Sequence, residues 1–193
     1  SGKFIANVLS NPLVNEAVQT LLSNDGLILG ICNGFQALIK SGLLPYGNIE
    51  GLNEASPTLF RNNINRHVSH IATTKVTSNK SPWLSSFTPN DCHSIAMSHG
   101  EGKFVVSEEV AKELFENGQV ATQYVDLEGN PTMDGTYNIN GSYYAIEGIT
   151  SKDGRILGKM GHSERYEDGL FKNIDGNKLQ NIFENGVNYF KNK

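Results

Sequence analysis

Leu27-Ile28-Leu29-Gly30-Ile31-Cys32-Asn33-Gly34-Phe35-Gln36 reads as an apolar strand that runs into a Gly-x-Cys-x-Gly turn and out into a helix. This order predicts a nucleophile elbow, a sharp strand-to-helix turn that lifts one side chain clear of the sheet edge. Gly30 and Gly34 are expected to permit a close strand–helix approach that a Cβ would obstruct. The apex residue, Cys32, is a weak nucleophile as a thiol and a strong one as thiolate. The helix beginning just after it offers free N–H groups and a positive dipole end, which favour both a thiolate and a developing oxyanion. The same residues also fit a small buried core cysteine, since cysteine is among the most often buried residue types. The rest of the chain has to separate the two readings.

The 193 residues fit a single domain, residues 1–193, and a hydrophobic content of 38% supplies a substantial core. A formal net charge of −4 with no basic cluster argues against nucleic acid as a partner. No apolar run approaches the roughly 20 residues that span a membrane, and no signal-peptide pattern is present. Two cysteines, Cys32 and Cys92, in a chain of this length read as cytosolic thiols rather than a disulfide framework, so a cytoplasmic protein is expected.

Along the chain, Asn11 and Pro12 open a helix over 12–23 with a stripe of Leu13, Val14, Ala17 and Leu21. The elbow strand, apolar almost throughout, is expected to have both faces covered in a parallel sheet. Residues 47–65 read as polar and irregular. Strands are predicted over 67–76, 94–98, 120–126, 143–150 and 155–160, the last two joined by the hairpin turn Lys152-Asp153-Gly154. Helices are predicted from Ser107 to Gly118 and over 178–189. The order implies an α/β domain, a parallel core with antiparallel hairpins attached. The elbow strand is the first strand and has no βαβ unit before it, so the sheet is expected to lack an N-terminal part.

A catalytic thiolate needs a base, and the base needs an orienting acid. Of the five histidines, His162 is best placed: it follows a buried-type strand in a glycine-flanked loop, with Glu164 two residues on. His-x-Glu at a strand end can set a carboxylate beside Nδ1 and hold the tautomer whose Nε2 faces the thiol. A solvated charged loop is the competing reading. His99, at a strand end before Gly100-Glu101-Gly102, is a candidate pocket residue, with a plain turn as the alternative. His67 and His70 stand an odd offset apart in a strand and would point to opposite faces, which argues against a metal site. Asp91-Cys92-His93 would diverge in an extended chain, so Cys92 reads as structural. No Walker A or dinucleotide fingerprint appears.

With Gly30-Ile31-Cys32-Asn33-Gly34-Phe35-Gln36 and Gly161-His162-Ser163-Glu164-Arg165 in view, the chain resembles the class I (triad) glutamine amidotransferases. Ser98-His99-Gly100-Glu101-Gly102, Ile146-Glu147-Gly148-Ile149-Thr150 and Asp153-Gly154-Arg155-Ile156-Leu157-Gly158 follow the order of one branch. That branch is the C-terminal glutaminase domain of the large single-chain phosphoribosylformylglycinamidine synthases. The resemblance implies a flavodoxin-like three-layer fold with a mixed sheet. It implies Cys32 as nucleophile, His162 as general base and acid, Glu164 as its orienting partner, the Asn33 N–H as an oxyanion donor and Gln36 as a substrate-pocket residue. L-glutamine would be hydrolysed through a γ-glutamyl thioester. The ammonia would pass to a synthetase domain of the same polypeptide, which uses ATP and Mg to amidate formylglycinamide ribonucleotide. No cofactor or metal is implied on this chain.

Members of the branch normally begin with further residues, including a glycine-rich loop that supplies a second oxyanion N–H. The resemblance therefore implies a fragment whose isolated activity depends on that loop. Phe35 stands where a second cysteine is common, a packing change. Gly161 stands where a proline is common, which implies a looser loop. Two other readings compete: a γ-glutamyl peptidase on the same scaffold, and a non-catalytic docking domain. The intact Cys32, His162 and Glu164 set argues against the second.

Overall fold

The computed structural model describes residues 2–49 and 51–191. In chain order these form α1 (Lys3–Leu9), α2 (Pro12–Ser23), β1 (Ile28–Ile31), α3 (Asn33–Ser41), α4 (Leu43–Tyr46), β2 (Thr58–Phe60), β3 (Val68–Val76), β4 (Cys92–His99) and β5 (Lys103–Val105). They continue with α5 (Glu108–Glu116), β6 (Val120–Tyr124), β7 (Ile146–Thr150), β8 (Ile156–Lys159) and α6 (Ile182–Lys191). The helix starts follow local chemistry. Asn11 Oδ1 accepts from the Leu13 N–H at 3.0 Å with Pro12 in the first turn of α2, and Ser107 Oγ accepts from the Val110 N–H at 3.3 Å at the head of α5.

The main sheet has the order β1-β8-β7-β6-β3-β4. Only β1 and β8 pair in parallel among the described residues; the other four pairings are antiparallel. The expected parallel core is therefore reduced to one pair, because β7 and β8 form a hairpin and β3 pairs antiparallel with both β4 and β6. β1 lies at one end of the strand order, and of its residues only Gly30 is buried. The elbow strand is thus half-covered rather than enclosed on both faces.

The sheet curls, and the segment after β8 lies against β4 at the opposite end of the strand order. The His162 N–H donates to the Ala96 carbonyl at 2.8 Å, and the Ser94 N–H donates to the Asn177 carbonyl at 2.7 Å. Alternation along β8 sorts the layers. Ile156 joins a large core with Phe35, Leu38, Ile39, Phe104, Leu114 and Tyr124. Leu157 joins a smaller core with Leu84, Ala121 and Ile182, flanked by Trp83. Gly158 has a structural reason: a Cβ there would strike the Phe35 ring, which is fully buried and stacks on Phe104 at 6.4 Å. Phe35 is a packing residue, as expected.

Several local expectations shift. In α2 the predicted stripe is mostly solvent-facing, with Leu13 77% exposed and Leu21 and Ala17 exposed. The inward residues are Val18 and Leu22, four apart, with Val14 half-buried one turn earlier. Tyr143–Ala145 form a 3₁₀ turn before β7 instead of extending it, with Tyr144 at φ 54° and Ala145 at φ 57°. The last helix begins at Ile182. Within the stretch read as irregular, β2 pairs antiparallel with β5, the strand that follows the 99–102 turn out of β4. The α1 helix was not foreseen; Gly2 packs so closely on α3 that a Cβ would lie 2.8 Å from Gln36 Cβ.

Candidate active site

Cys32 sits between β1 and α3 with φ 52° and ψ −102°, a left-handed backbone that a non-glycine residue adopts only when its surroundings hold it there. Three contacts hold it. Its N–H donates to the Lys159 carbonyl at 2.8 Å, its carbonyl accepts from the Gln36 N–H at 3.1 Å, and Gly30 leaves no room behind it. A Cβ on Gly30 would lie 2.5 Å from Leu38 Cδ1 and 2.8 Å from the Gly34 carbonyl carbon. Gly34 itself does not have the role expected of it: a Cβ there would meet nothing within 4 Å, because its α-carbon faces open space.

The thiol is half-buried and lies 3.5 Å from the Ser98 carbonyl oxygen. Burial raises its pKa; a hydrogen bond from the Asn33 N–H and the charge of Arg165 pull it back, and Glu164 pushes it up. The resting group is a thiol that needs a base, with the Asn33 N–H already turned toward sulfur.

β8 leads to the histidine expected for that role. Its parallel register pairs Ile31 with Lys159, so the carboxyl ends of β1 and β8 lie side by side. The chain then runs through Met160 and Gly161 to His162, whose N–H rests on the Ala96 carbonyl. Ala96 and Ser98 are two apart on β4, so their carbonyls point the same way: one takes the His162 backbone, the other faces the Cys32 thiol. His162 is buried, and its Nδ1 lies 2.5 Å from Glu164 Oε1. A carboxylate only accepts, so the neutral ring carries its proton on Nδ1 and its lone pair on Nε2. That Nε2 is buried and has no hydrogen-bond partner among the described residues. Arg165 Nε stands 3.8 Å from the same carboxylate oxygen.

The remaining expected residues take different places. Gln36 is buried and ties α3 to the 99–102 turn, its Nε2 donating to the Glu101 carbonyl at 2.7 Å. His99 does not open into a cleft. Its ring is 3% exposed, lies under Gly102, and has Nδ1 3.2 Å from Asn62 Oδ1. Burial lowers its pKa to about 4. Its position follows from β4, whose alternation turns His99 inward beside Met97. Cys92 lies apart, with Sγ 3.4 Å from the Asn90 carbonyl, while His93 beside it is buried. Among the described residues no group of three or more His, Cys, Asp or Glu is placed to hold a metal ion, and no helix is long and apolar enough to cross a membrane.

Comparison with known proteins gives the family. The CobB/CobQ-like glutamine amidotransferase domain matches residues 1–190. The chain belongs to that amidotransferase family. Phosphoribosylformylglycinamidine synthase subunit PurQ of Gloeobacter violaceus is 36% identical over 86% of this chain and 66% of its own length. The PurQ of Chlorobaculum parvum is 38% identical over 88% of this chain and 62% of its own length. The chain thus spans a little under two thirds of these curated relatives. The PurQ of Methanococcus maripaludis is 35% identical, with all of this chain matched to 73% of it. In the structure of PurLQS from Thermotoga maritima, one chain superposes with a TM-score of 0.67 at 24% identity, covering 95% of this chain and 71% of that one. It shares the fold, an α/β domain with a mixed, curled sheet.

In this amidotransferase domain, Asn62, Glu147, Lys159 and Arg165 also reach the site or its supporting turns. Asn62 gathers the 99–102 turn: its Nδ2 donates to the carbonyls of His99 and Arg66 at 2.8 and 3.1 Å, and its Oδ1 accepts from the Gly102 N–H at 3.1 Å. Nothing local marks it. Glu147 and Lys159 did carry a signal, as single charged residues inside the apolar strands Ile146–Thr150 and Ile156–Lys159. Gly161 is not loose. It is buried, a Cβ would lie 2.7 Å from Ile95 Cγ2, and its N–H donates to Glu147 Oε1 at 2.5 Å, a bond that proline lacks.

Proposed function

We propose that this chain is the glutaminase component of a phosphoribosylformylglycinamidine synthase. The observation that carries the reading is one strand end: β8 clamps the backbone of left-handed Cys32 and, a few residues on, delivers the His162–Glu164 pair. In the proposed reaction His162 Nε2 takes the thiol proton as Cys32 sulfur attacks the side-chain amide carbon of L-glutamine. The oxyanion is received by the Asn33 N–H at the start of α3. His162 returns the proton to the amide nitrogen, which leaves as ammonia, and Glu164 stabilises the imidazolium between the two transfers. Water, deprotonated by the same imidazole, then hydrolyses the γ-glutamyl thioester to glutamate and the free thiol.

The names of the PurQ relatives support a synthase context. The ammonia would pass to a synthetase that binds ATP and Mg and amidates formylglycinamide ribonucleotide. The His-Gly-Glu-Gly turn and the Gly-Ile-Thr-Ser-x-Asp-Gly-Arg block support a synthetase joined to this domain in one cytoplasmic polypeptide. The test is to treat the complete synthase with the diazoketone analogue of glutamine and map the modified peptide. Labelling at Cys32, abolished by Cys32→Ala, is expected, as is glutamine turnover that rises with the nucleotide substrate. Labelling elsewhere, or turnover of γ-glutamyl peptides in preference to glutamine, would sink the reading.

A further inference from the structure

Lys159 is the last residue of β8, and its side chain is fully buried. Burying an ammonium is costly unless its protons find acceptors, so its surroundings have to be specific. Its three protons are all engaged, and all three acceptors are uncharged. Nζ donates to the Gly161 carbonyl at 3.1 Å, to Ser163 Oγ at 3.0 Å and to Gln180 Oε1 at 2.9 Å. Ser163 Oγ in turn donates to Gln180 Oε1 at 2.6 Å. Two of the acceptors therefore belong to the residues on either side of His162.

The same peptide is held from its other end. Glu147, also buried, accepts the Gly161 N–H on Oε1 and the Thr122 hydroxyl on Oε2. Gly161 thus has its N–H on a buried carboxylate and its carbonyl on a buried ammonium. Because Glu147 belongs to β7 and Lys159 to β8, the backbone entering His162 is set by the sheet and not by the loop. Meanwhile the Lys159 carbonyl receives the Cys32 N–H. One residue touches the backbone of the nucleophile through its main chain and the flanks of the base through its side chain.

We propose that Lys159 is a positioning residue for His162: with Glu147 it fixes the Gly161 and Ser163 backbone so that the imidazole is presented to Cys32 in a single orientation. The inference rests on the assignment of Cys32 and His162 as nucleophile and base. The Lys159 side chain is fully buried and acts through the loop.

The experiment uses the complete synthase. Lys159→Met removes the buried donor to Gly161, Ser163 and Gln180 and is expected to lower Tm, to lower kcat for glutamine hydrolysis by about 10- to 100-fold, and to leave KM within about twofold. The same substitution should slow alkylation of Cys32 by iodoacetamide, followed by peptide mapping so that Cys92 is counted separately. In a His162→Ala background Lys159→Met should slow that alkylation no further, since its effect runs through the imidazole. An unchanged kcat, or an equal slowing with and without His162, overturns the proposal. Should Lys159→Met fail to fold, Ser163→Ala removes one acceptor of Lys159 and one donor to Gln180, and carries the same paired measurement with a smaller expected loss. If the diazoketone does not label wild-type Cys32, the active-site reading falls and this inference with it. If it labels Cys32 while Lys159→Met turns over normally, only the inference falls.

Discussion

His99 closes β4 and His162 lies just beyond β8; both rings are buried, and both leave Nε2 without a hydrogen-bond partner among the described residues. What differs is the group at Nδ1. For His162 it is the Glu164 carboxylate at 2.5 Å; for His99 it is the Asn62 side-chain amide at 3.2 Å. A carboxylate stabilises an imidazolium, so His162 can take up and return a proton. An amide oxygen already shared with the Gly102 N–H offers no charge, and burial holds His99 neutral down to about pH 4. Burial alone does not equip a histidine to exchange a proton; the partner behind the ring does.

The largest test of this contrast is His162→Ala, which should cut kcat for glutamine hydrolysis by about 10²- to 10⁴-fold, the usual worth of a general acid–base. His99→Gln should cost far less, and equal losses from the two would break the comparison.

A second test reads the His99 ring through stability. Its folded pKa is depressed from 6.5 to about 4, so between those values the unfolded chain binds a proton that the folded one does not. Stability should therefore fall as pH drops from about 6.5 to about 4, by up to about 3 kcal/mol from this residue. His93, also pushed down by burial, adds to the slope, so the measurement is the difference between wild type and His99→Gln in urea unfolding across that range. A slope untouched by His99→Gln would remove the buried-neutral reading.

The smallest expected effect sharpens the comparison most directly. Glu164→Gln gives His162 the kind of partner that His99 has. The ring keeps an acceptor but loses the charge behind it, and kcat should fall by about 10- to 100-fold with KM little changed. A variant with full activity would show that the amide suffices.

Much of the site was legible in residues close together in the chain. The elbow could be read because a strand, a tight turn and a helix start are all local events, and Cys32 at φ 52° is their consequence. His162 and Glu164 could be read because they are two residues apart. Even there the local argument was partial: Gly30 is needed for close approach and Gly34 is not, a difference set by where Leu38 packs. The stripe of α2 was misjudged for a related reason. Periodicity gives the spacing of a face, but which face turns inward depends on the neighbour it meets.

By itself the sequence determined the strand–turn–helix elbow at Cys32, the His-x-Glu pair and most of the helices and strands, because these depend on short-range sterics, caps and alternation. Only the tertiary structure decided that β1 pairs parallel with β8 and that the sheet curls until β4 meets the loop after β8. It alone placed His99 inward on Asn62 and set Glu147 and Lys159 at the two ends of the Gly161 peptide. Apart from Lys159 and Gly161, which are two apart, those are contacts between residues distant in the chain. No local propensity encodes them; they follow from strand register and from the need of each buried polar group to find a partner.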